Sequence, residues 1–341
     1  MPSLKDDINA EERARALEAT CRTLQRQLAS AKAKTADLVD AVERAARDAA
    51  VITGKAKPRV VKAHKSKGHD EVALLHLTDW QLGKQTATYN TEVCVDRVRV
   101  CISKTIRLVD IQRAAHPVRN IRVMLGGDMV ENMVFPGAAF EIDSTTFEQC
   151  FAAAHLIEES LLTLLENFET VTVHQVNGNH GRIGKKGDNP RGDNWDRIIY
   201  TMVREKLSAT ISAGRLVWTT PVSWYDIVTI GNYSALLIHG DQIKSFGGNL
   251  PAFGISRKAI AWSSGAIPED YSDTYMGHYH SSMELTIANG SRVFVTPSCE
   301  SSSEYAREFV AAKGAPGQRL HMIDPRAGRV TSQHLIWLSN D

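Results

Sequence analysis

The chain has no stretch approaching the roughly 18 consecutive apolar residues a membrane helix needs. Its first residues, MPSLKDDINAEERARALE, are too charged for the apolar core of a secretion signal. A soluble cytoplasmic protein with no membrane partner is the expectation. Cysteine is sparse: Cys21, Cys94, Cys101, Cys150 and Cys299 are an odd number, widely spread and without a C-x-x-C pair. That pattern suggests neither a disulfide framework nor a cysteine zinc site and predicts reduced thiols. Net charge is nearly absent too, +1 over 341 residues, which argues against a uniformly basic nucleic-acid coat but leaves room for a local basic patch. With 43% hydrophobic residues the chain can bury a substantial core, and its length suits one large domain with an appendage.

Proline and glycine are missing between Ala14 and Val51, where Ala, Leu, Arg, Glu, Lys and Asp dominate; one long helix within residues 1–52 follows. Leu17, Cys21, Leu24, Leu28, Ala31, Thr35, Leu38, Val42, Ala45 and Ala49 recur every 3.5 residues on average. This is a coiled-coil seam, through which the protein would form a homo-oligomer or dock on a protein partner; a single amphipathic helix lying on the domain is the alternative. Residues 53–70, TGKAKPRVVKAHKSKGHD, break the pattern with six Lys or Arg against one acid. They read as a basic linker, either a solvated hinge or a tether touching phosphate backbone. Over residues 71–341, short β-branched runs alternate with helix-like segments such as Thr91–Ala115 and Phe147–Phe168, which describes an α/β domain.

What is abundant is a repeated event at strand ends. EVALLHLT runs into Asp79 and, two residues on, Gln81; NIRVMLGG runs into Asp128; TVTVHQVNG into Asn179 and His180; YSALLI into His239; SDTYMG into His278 and His280. Five apolar runs thus deliver oxygen or imidazole groups at their carboxyl ends, the edge of an α/β sheet where ligands bind. Glycines in GGD, GNHG, HGD and GHYH let backbone approach a shared centre without a Cβ in the way. Mixed Asp, Asn and His donors suit Mn²⁺, with Fe²⁺ or Zn²⁺ as alternatives, better than Ca²⁺. There are enough donors for two divalent metal ions, which about 3.5–4 Å apart can clamp a phosphoryl group and activate water against it.

The ordered set DWQ, GGDMVEN, GNHGR, HGD and GHYH resembles the calcineurin-like metallophosphoesterase superfamily, with its D-x-H, G-D-x-x-[DE], G-N-H-[DE], H and G-H-x-H pattern. Within it, LTDWQLGK is similar to the corresponding segment of SbcD-type nuclease subunits and of phage-encoded DNA repair exonucleases. The resemblance implies a four-layer α/β fold, two mixed β-sheets packed as a sandwich and flanked by helices. It also implies a metal-dependent phosphodiesterase, a DNA nuclease in the nearest relatives. Carried over by position, Asp79, Gln81 and His280 hold one metal, Asn179, His239 and His278 the other, and Asp128 bridges them. His180 stabilises the transition state or protonates the leaving oxygen.

Two departures stand out. Gln81 replaces the family's histidine with a weaker, harder amide donor, so the first metal should bind less tightly. Gly181 replaces the acid that follows GNH and typically supports the histidine, leaving Asp128 or a water to orient His180. Glu131 matches the family's acidic position as a supporting or loop residue, and His76 reads as a buried, hydrogen-bonded histidine; His155 and His174 carry no functional reading. The loop GRIGKKGDNPRGDNW offers Arg182, Lys185, Lys186 and Arg191 as grips for phosphates flanking a scissile bond, or is simply solvated. A second rim, KSFGGNLPAFGISRK, offers Phe246, Phe253, Arg257 and Lys258. After His280 the chain reads mainly as closing strands (RVFVTPS, HMIDP, HLIWL), leaving little room for the capping domain of SbcD-type nucleases. A phosphatase or cyclic nucleotide phosphodiesterase acting on a small substrate is the alternative function, and a degenerate metal-binding interaction protein the third.

Overall fold

Side-chain alternation along the first strand decides the layering. In β1 (Glu71–Leu77), Ala73, Leu75 and Leu77 enter one buried cluster while Leu74 enters another, the period of two that a strand imposes. A strand buried on both faces has no polar side to show, which is why EVALLHL reads as a nearly continuous apolar run. The computed structural model describes residues 68–135, 138–221, 223–244, 250–300 and 315–339 together with Arg26. The expected coiled coil, Arg26 apart, and linker residues 53–67 lie outside the described residues.

The first sheet places β1 between β2 (Val118–Leu125) and β10 (Gly317–Asp324); β3 (Thr170–Gln175) and β4 (Leu216–Trp218) continue one side and β11 (Arg329–Trp337) closes the other. β1 to β4 run parallel, whereas β10 and β11 are antiparallel additions. The second sheet has the order β5 (Asp226–Ile230), β6 (Tyr233–Leu237), β7 (Asp273–Met276), β9 (Arg292–Val295) and β8 (Met283–Thr286). Its central strands β6, β7 and β9 are parallel and its edges antiparallel.

Three apolar clusters hold four layers together. Helices α1 (Thr91–Gln112), α2 (Thr146–Asn167) and α3 (Trp195–Lys206) cover the outer face of the first sheet through Val98, Ile157, Leu161 and Ile199. Leu74, Met124, Tyr233, Tyr275, Phe294 and Ile323 fill the space between the sheets. A short α4 (Ser208–Ser212) follows α3, and α5 (Ala252–Ala261) packs Ile255 and Ala259 on the outer face of the second sheet. The architecture is therefore the expected sandwich of two mixed sheets flanked by helices. Among the described residues no helix is long and apolar enough to cross a membrane.

The helix starts follow local rules. Thr145 and Glu148 form a reciprocal capping box at α2. The side chains of Asn90 and Asn194 cap α1 and α3 by accepting from Val93 N and Asp196 N. The expected helices at 91–115 and 147–168 thus appear with boundaries shifted by a few residues at most.

Candidate metal centre

Every parallel strand end named from the sequence opens onto one pocket. β1, β2 and β3 deliver Asp79 and Gln81, Asp128, and Asn179 and His180 from the first sheet; β6 and β7 deliver His239, and His278 and His280, from the second. Six non-glycine residues among those described have a left-handed backbone: Asp79, Gln81, Asp128, Asn132, His278 and His280. Five of the six are candidate ligands. Such conformations are uncommon and cluster where the surrounding fold enforces a functional geometry. The close approach also needs missing side chains: a Cβ on Gly277 would stand 1.9 Å from Asp79 Oδ2, and one on Gly178 2.0 Å from Asp128 Oδ1.

Asp128, His239 and His278 bring one ligand atom each within 4.8 Å of one another. His239 Nδ1–H donates to the Gly126 carbonyl at 2.8 Å, leaving Nε2 as an acceptor that faces Asp128 Oδ2 at 3.0 Å and Asn179 Oδ1 at 3.1 Å. Acceptors converging this closely demand a cation. A proton is one answer: burial pulls His239 down, but the Asp128 carboxylate outweighs it and raises the imidazole to about 10. Asp128 lies well below the usual carboxylate range, since the charges of His239 and His180 overcome the burial that would raise it. A divalent metal is the other answer, and the donor set suits one.

The second group of donors lies beside the first. His280 Nε2 is 3.4 Å from Asp79 Oδ1 and 3.5 Å from Gln81 Nε2. Gln81 is fully buried and its Oε1 has no protein partner, as is the case for Asp128 Oδ2 when His239 Nε2 carries no proton. Orphaned buried oxygens cost free energy unless something positive meets them, so this pocket also fits a metal ion. On the far side of His280, Nδ1 meets Glu300 Oε2 at 3.3 Å, and Glu300 is anchored by Lys84 Nζ at 3.1 Å. A carboxylate behind a ligating imidazole fixes the ring and raises its basicity. Burial depresses His280, but the hydrogen bonds from Asp79 and Glu300 win and bring it to about 10.

His180 is oriented by Glu131. Its Nδ1 donates to the Glu131 carbonyl at 3.0 Å and lies 3.5 Å from the Glu131 carboxylate, which leaves Nε2 free. Asp128, with a water one of the two supports expected for the ring, instead accepts at 2.7 Å from the backbone N–H of His180. The missing acid at Gly181 also has a structural cause. A Cβ there would sit 2.3 Å from Asn194 Oδ1 and 3.1 Å from the Asp196 carboxyl carbon, so α3 fills the space with its own acid. Asp196, fully buried, accepts from the backbone N–H of Asp128, Met129 and Gly178 at 3.0, 3.1 and 2.8 Å.

Four supporting residues escaped the sequence reading: Glu300, Asp196, Asn132 and Gln318. Asn132 donates to the His180 and Arg182 carbonyls at 2.8 and 2.9 Å, while Gln318 clamps the backbone of Thr78 from both sides and reaches Pro297. In sequence, only the left-handed tolerance of Asn and the Asn-x-Asp helix start at 194–196 offered a signal. Of the basic loop, Arg182 is ion-paired with Asp241 and Lys186 lies 3.9 Å from the same carboxylate; Lys185 and Arg191 are exposed. Phe253 is exposed at the start of α5, and Phe246 lies outside the described residues. His76 is buried with Nδ1 2.8 Å from Thr296 Oγ1, His174 pairs with Asp226, and His155 lies on the surface of α2.

Fold and site together define a class: an α/β sandwich with a pocket for divalent metal at its strand ends. No protein-family model matches the chain, and no curated protein matches it. Among solved structures it is similar to Vps29 of Entamoeba histolytica complexed with Zn²⁺, at 12% identity and a TM-score of 0.38, covering 78% of this chain and 99% of that one. A conserved uncharacterized protein of Streptococcus pneumoniae, described as a predicted phosphoesterase, aligns at 10% identity and TM-score 0.33, over 78% and 98% of the two chains. Phosphopantetheinyl hydrolase of Mycobacterium tuberculosis aligns at 10% and 0.28, over 67% and 91%. At such low identities and scores, only the geometry of the pocket itself carries chemistry.

Proposed function

We propose that the protein is a metal-dependent phosphodiesterase acting on DNA, built on the metallophosphoesterase pattern of its motifs. One observation carries the reading: seven donor side chains from both sheets converge on a buried pocket whose acceptors lack enough protein donors. Asp79, Gln81 and His280 would hold one divalent ion and Asn179, His239 and His278 a second, with Asp128 between them; Mn²⁺ suits this donor set, as do Fe²⁺ and Zn²⁺. When bound, such ions polarise a phosphoryl oxygen and lower the pKa of water to near neutrality.

The chain's own residues do the rest. Asp128 holds the His180 backbone with one carboxylate oxygen and faces His239 with the other, so the proton donor and the donor pocket share one anchor. With Nδ1 committed to the Glu131 carbonyl, His180 presents Nε2 to the oxygen that leaves phosphorus. Lys185 and Arg191, exposed on the loop after His180, supply positive charge for the phosphates of a polynucleotide.

The test is hydrolysis of labelled single-stranded and double-stranded DNA beside a phosphomonoester, with Mn²⁺ and with chelator. Mn²⁺-dependent DNA cleavage that is lost in His180→Ala supports the reading. Monoester hydrolysis alone would assign a phosphatase, and silence on all substrates despite bound metal would assign an interaction protein. The charged heptad pattern of residues 1–52 supports self-association or partner docking through a coiled coil. Light scattering with and without those residues tests the self-association, which an unchanged monomeric mass would refute.

A further inference from the structure

We infer that the segment after Asp128 carries a stacking ledge for a nucleobase of the substrate, with Phe135 as its ring; the inference rests on the phosphodiesterase reading. Phe135, Phe140, Phe147 and Phe151 are all exposed between positions 135 and 151. Phe135 is the one that touches the chemistry. Its ring centroid lies 4.6 Å from that of His180, tilted by 54°, while 39% of the residue remains open to solvent.

Its place in the pocket selects the occupant. His180 has only Nε2 to give, because Nδ1 is held by the Glu131 carbonyl. The oxygen that takes this proton belongs to the leaving group, so whatever that oxygen carries is brought alongside Phe135. Inorganic phosphate has no apolar face to lay on the ring, and a small aliphatic alcohol would leave much of it in water. A planar base covers it, and base–aromatic stacking tolerates any sequence because every base has a π-face.

The ledge continues along the rim. The Phe135 carbonyl accepts from Ala138 N at 3.1 Å, and beyond Phe140, itself 93% exposed, Glu141 O accepts from Gln85 N at 2.7 Å. Ile142 bridges Lys84, whose ammonium holds Glu300 against His280. Phe135 is therefore packed on the proton donor, and Ile142 pairs with the lysine that holds the carboxylate behind a candidate metal ligand. A docked protein would need the outer phenylalanines but has no reason to choose the ring packed on His180.

The experiment compares kcat/KM for a thymidine dinucleotide with kcat/KM for the same phosphodiester lacking one base or the other, in Mn²⁺. The wild-type protein should prefer the substrate whose base sits on the leaving side by roughly 5- to 150-fold, the range stacking on one aromatic ring spans. In Phe135→Ala that preference should fall toward one, Phe135→Trp should restore it, and Phe140→Ala, which leaves the His180 contact intact, should reduce it partly. Quenching of a bound 2-aminopurine nucleotide should weaken in parallel. A preference retained in Phe135→Ala while both rates fall together would overturn the ledge and leave the ring as a brace for His180. Equal wild-type rates on base-bearing and abasic diesters would overturn it while sparing the phosphodiesterase reading. Monoester cleavage without diester cleavage would overturn both.

Discussion

At the scale of the residue, Gln81 shows how a backbone can reveal a site. Asp, Asn and His tolerate left-handed backbone better than other side chains, yet Gln81 holds φ at 50° while fully buried, with its amide oxygen unpartnered. Strain of this kind costs on the order of 1–3 kcal/mol and persists only where the surrounding fold enforces it. An imidazole suits both this backbone and a first-row divalent ion better than an amide does. Gln81→His is therefore expected to tighten Mn²⁺ binding, by roughly tenfold on the scale of ligand-shell changes; equal calorimetric dissociation constants would show that position 81 does not face the ion. His180→Ala is a complementary case. It keeps the backbone N–H that holds Asp128, so bound metal per chain should stay constant while kcat falls by about 10²–10⁴. Unchanged kcat would remove His180 from the chemistry. The donor residues were legible in sequence because each follows an apolar run by a fixed short step. Gln318 was not, because its partner Thr78 is 240 positions away and glutamine has no pattern of its own.

At the scale of the element, the start of α3 ties the donor loops together. Asn194 caps the helix and donates to the Gly178 carbonyl at 2.9 Å, and Asp196 one residue into the first turn gathers three backbone N–H groups from the loops bearing Asp128 and Asn179. Removing that carboxylate would strand three buried donors, each worth about 1–3 kcal/mol when unsatisfied. Asp196→Ala should lower the thermal midpoint sharply. Asp196→Asn, which keeps the shape and one acceptor, should remain folded and bind Mn²⁺ about 10–100-fold more weakly. Wild-type metal affinity in a folded Asp196→Asn protein would show that α3 does not position the loops. The same packing closes off the simplest reversion. Gly181→Asp would restore the family acid in sequence, but its Cβ meets Asn194 Oδ1 at 2.3 Å. A drop in thermal midpoint equivalent to roughly 1–3 kcal/mol is expected, with no gain in kcat; a neutral midpoint would mean that α3 can yield.

At the scale of the whole molecule, the alternation of apolar runs and helix-like segments made an α/β domain legible, and the two sheets followed from the family resemblance, but the pairing of the strands did not show in the sequence. Nothing local in GQRLHMID says that β10 returns to lie antiparallel beside β1, because that pairing is set by the whole sandwich. The return has a consequence for acid stability. It brings His321 into the layer between the sheets, its Nδ1 2.6 Å from the Tyr275 hydroxyl, near His76, whose ring lies 5.9 Å edge-on from Tyr275. Burial holds His76 down to about 3, with Asp79 only partly opposing, and burial with the charge of Arg319 holds His321 well below its ordinary value. Both are neutral in the folded protein and protonate near pH 6.5 once unfolded. Between about pH 6.5 and 3 the unfolded chain therefore binds more protons, so stability falls as pH falls through that window; above it both states are neutral and the contribution is flat. For His76 alone the loss reaches roughly 2–3 kcal/mol by pH 4.5. The measurement is the thermal midpoint in chelator between pH 8 and 4.5, for the wild-type protein and for His76→Asn, whose amide can still meet Thr296. Whatever midpoint the variant starts from, it should fall less steeply with acid; parallel curves would mean that His76 already carries its proton inside the fold.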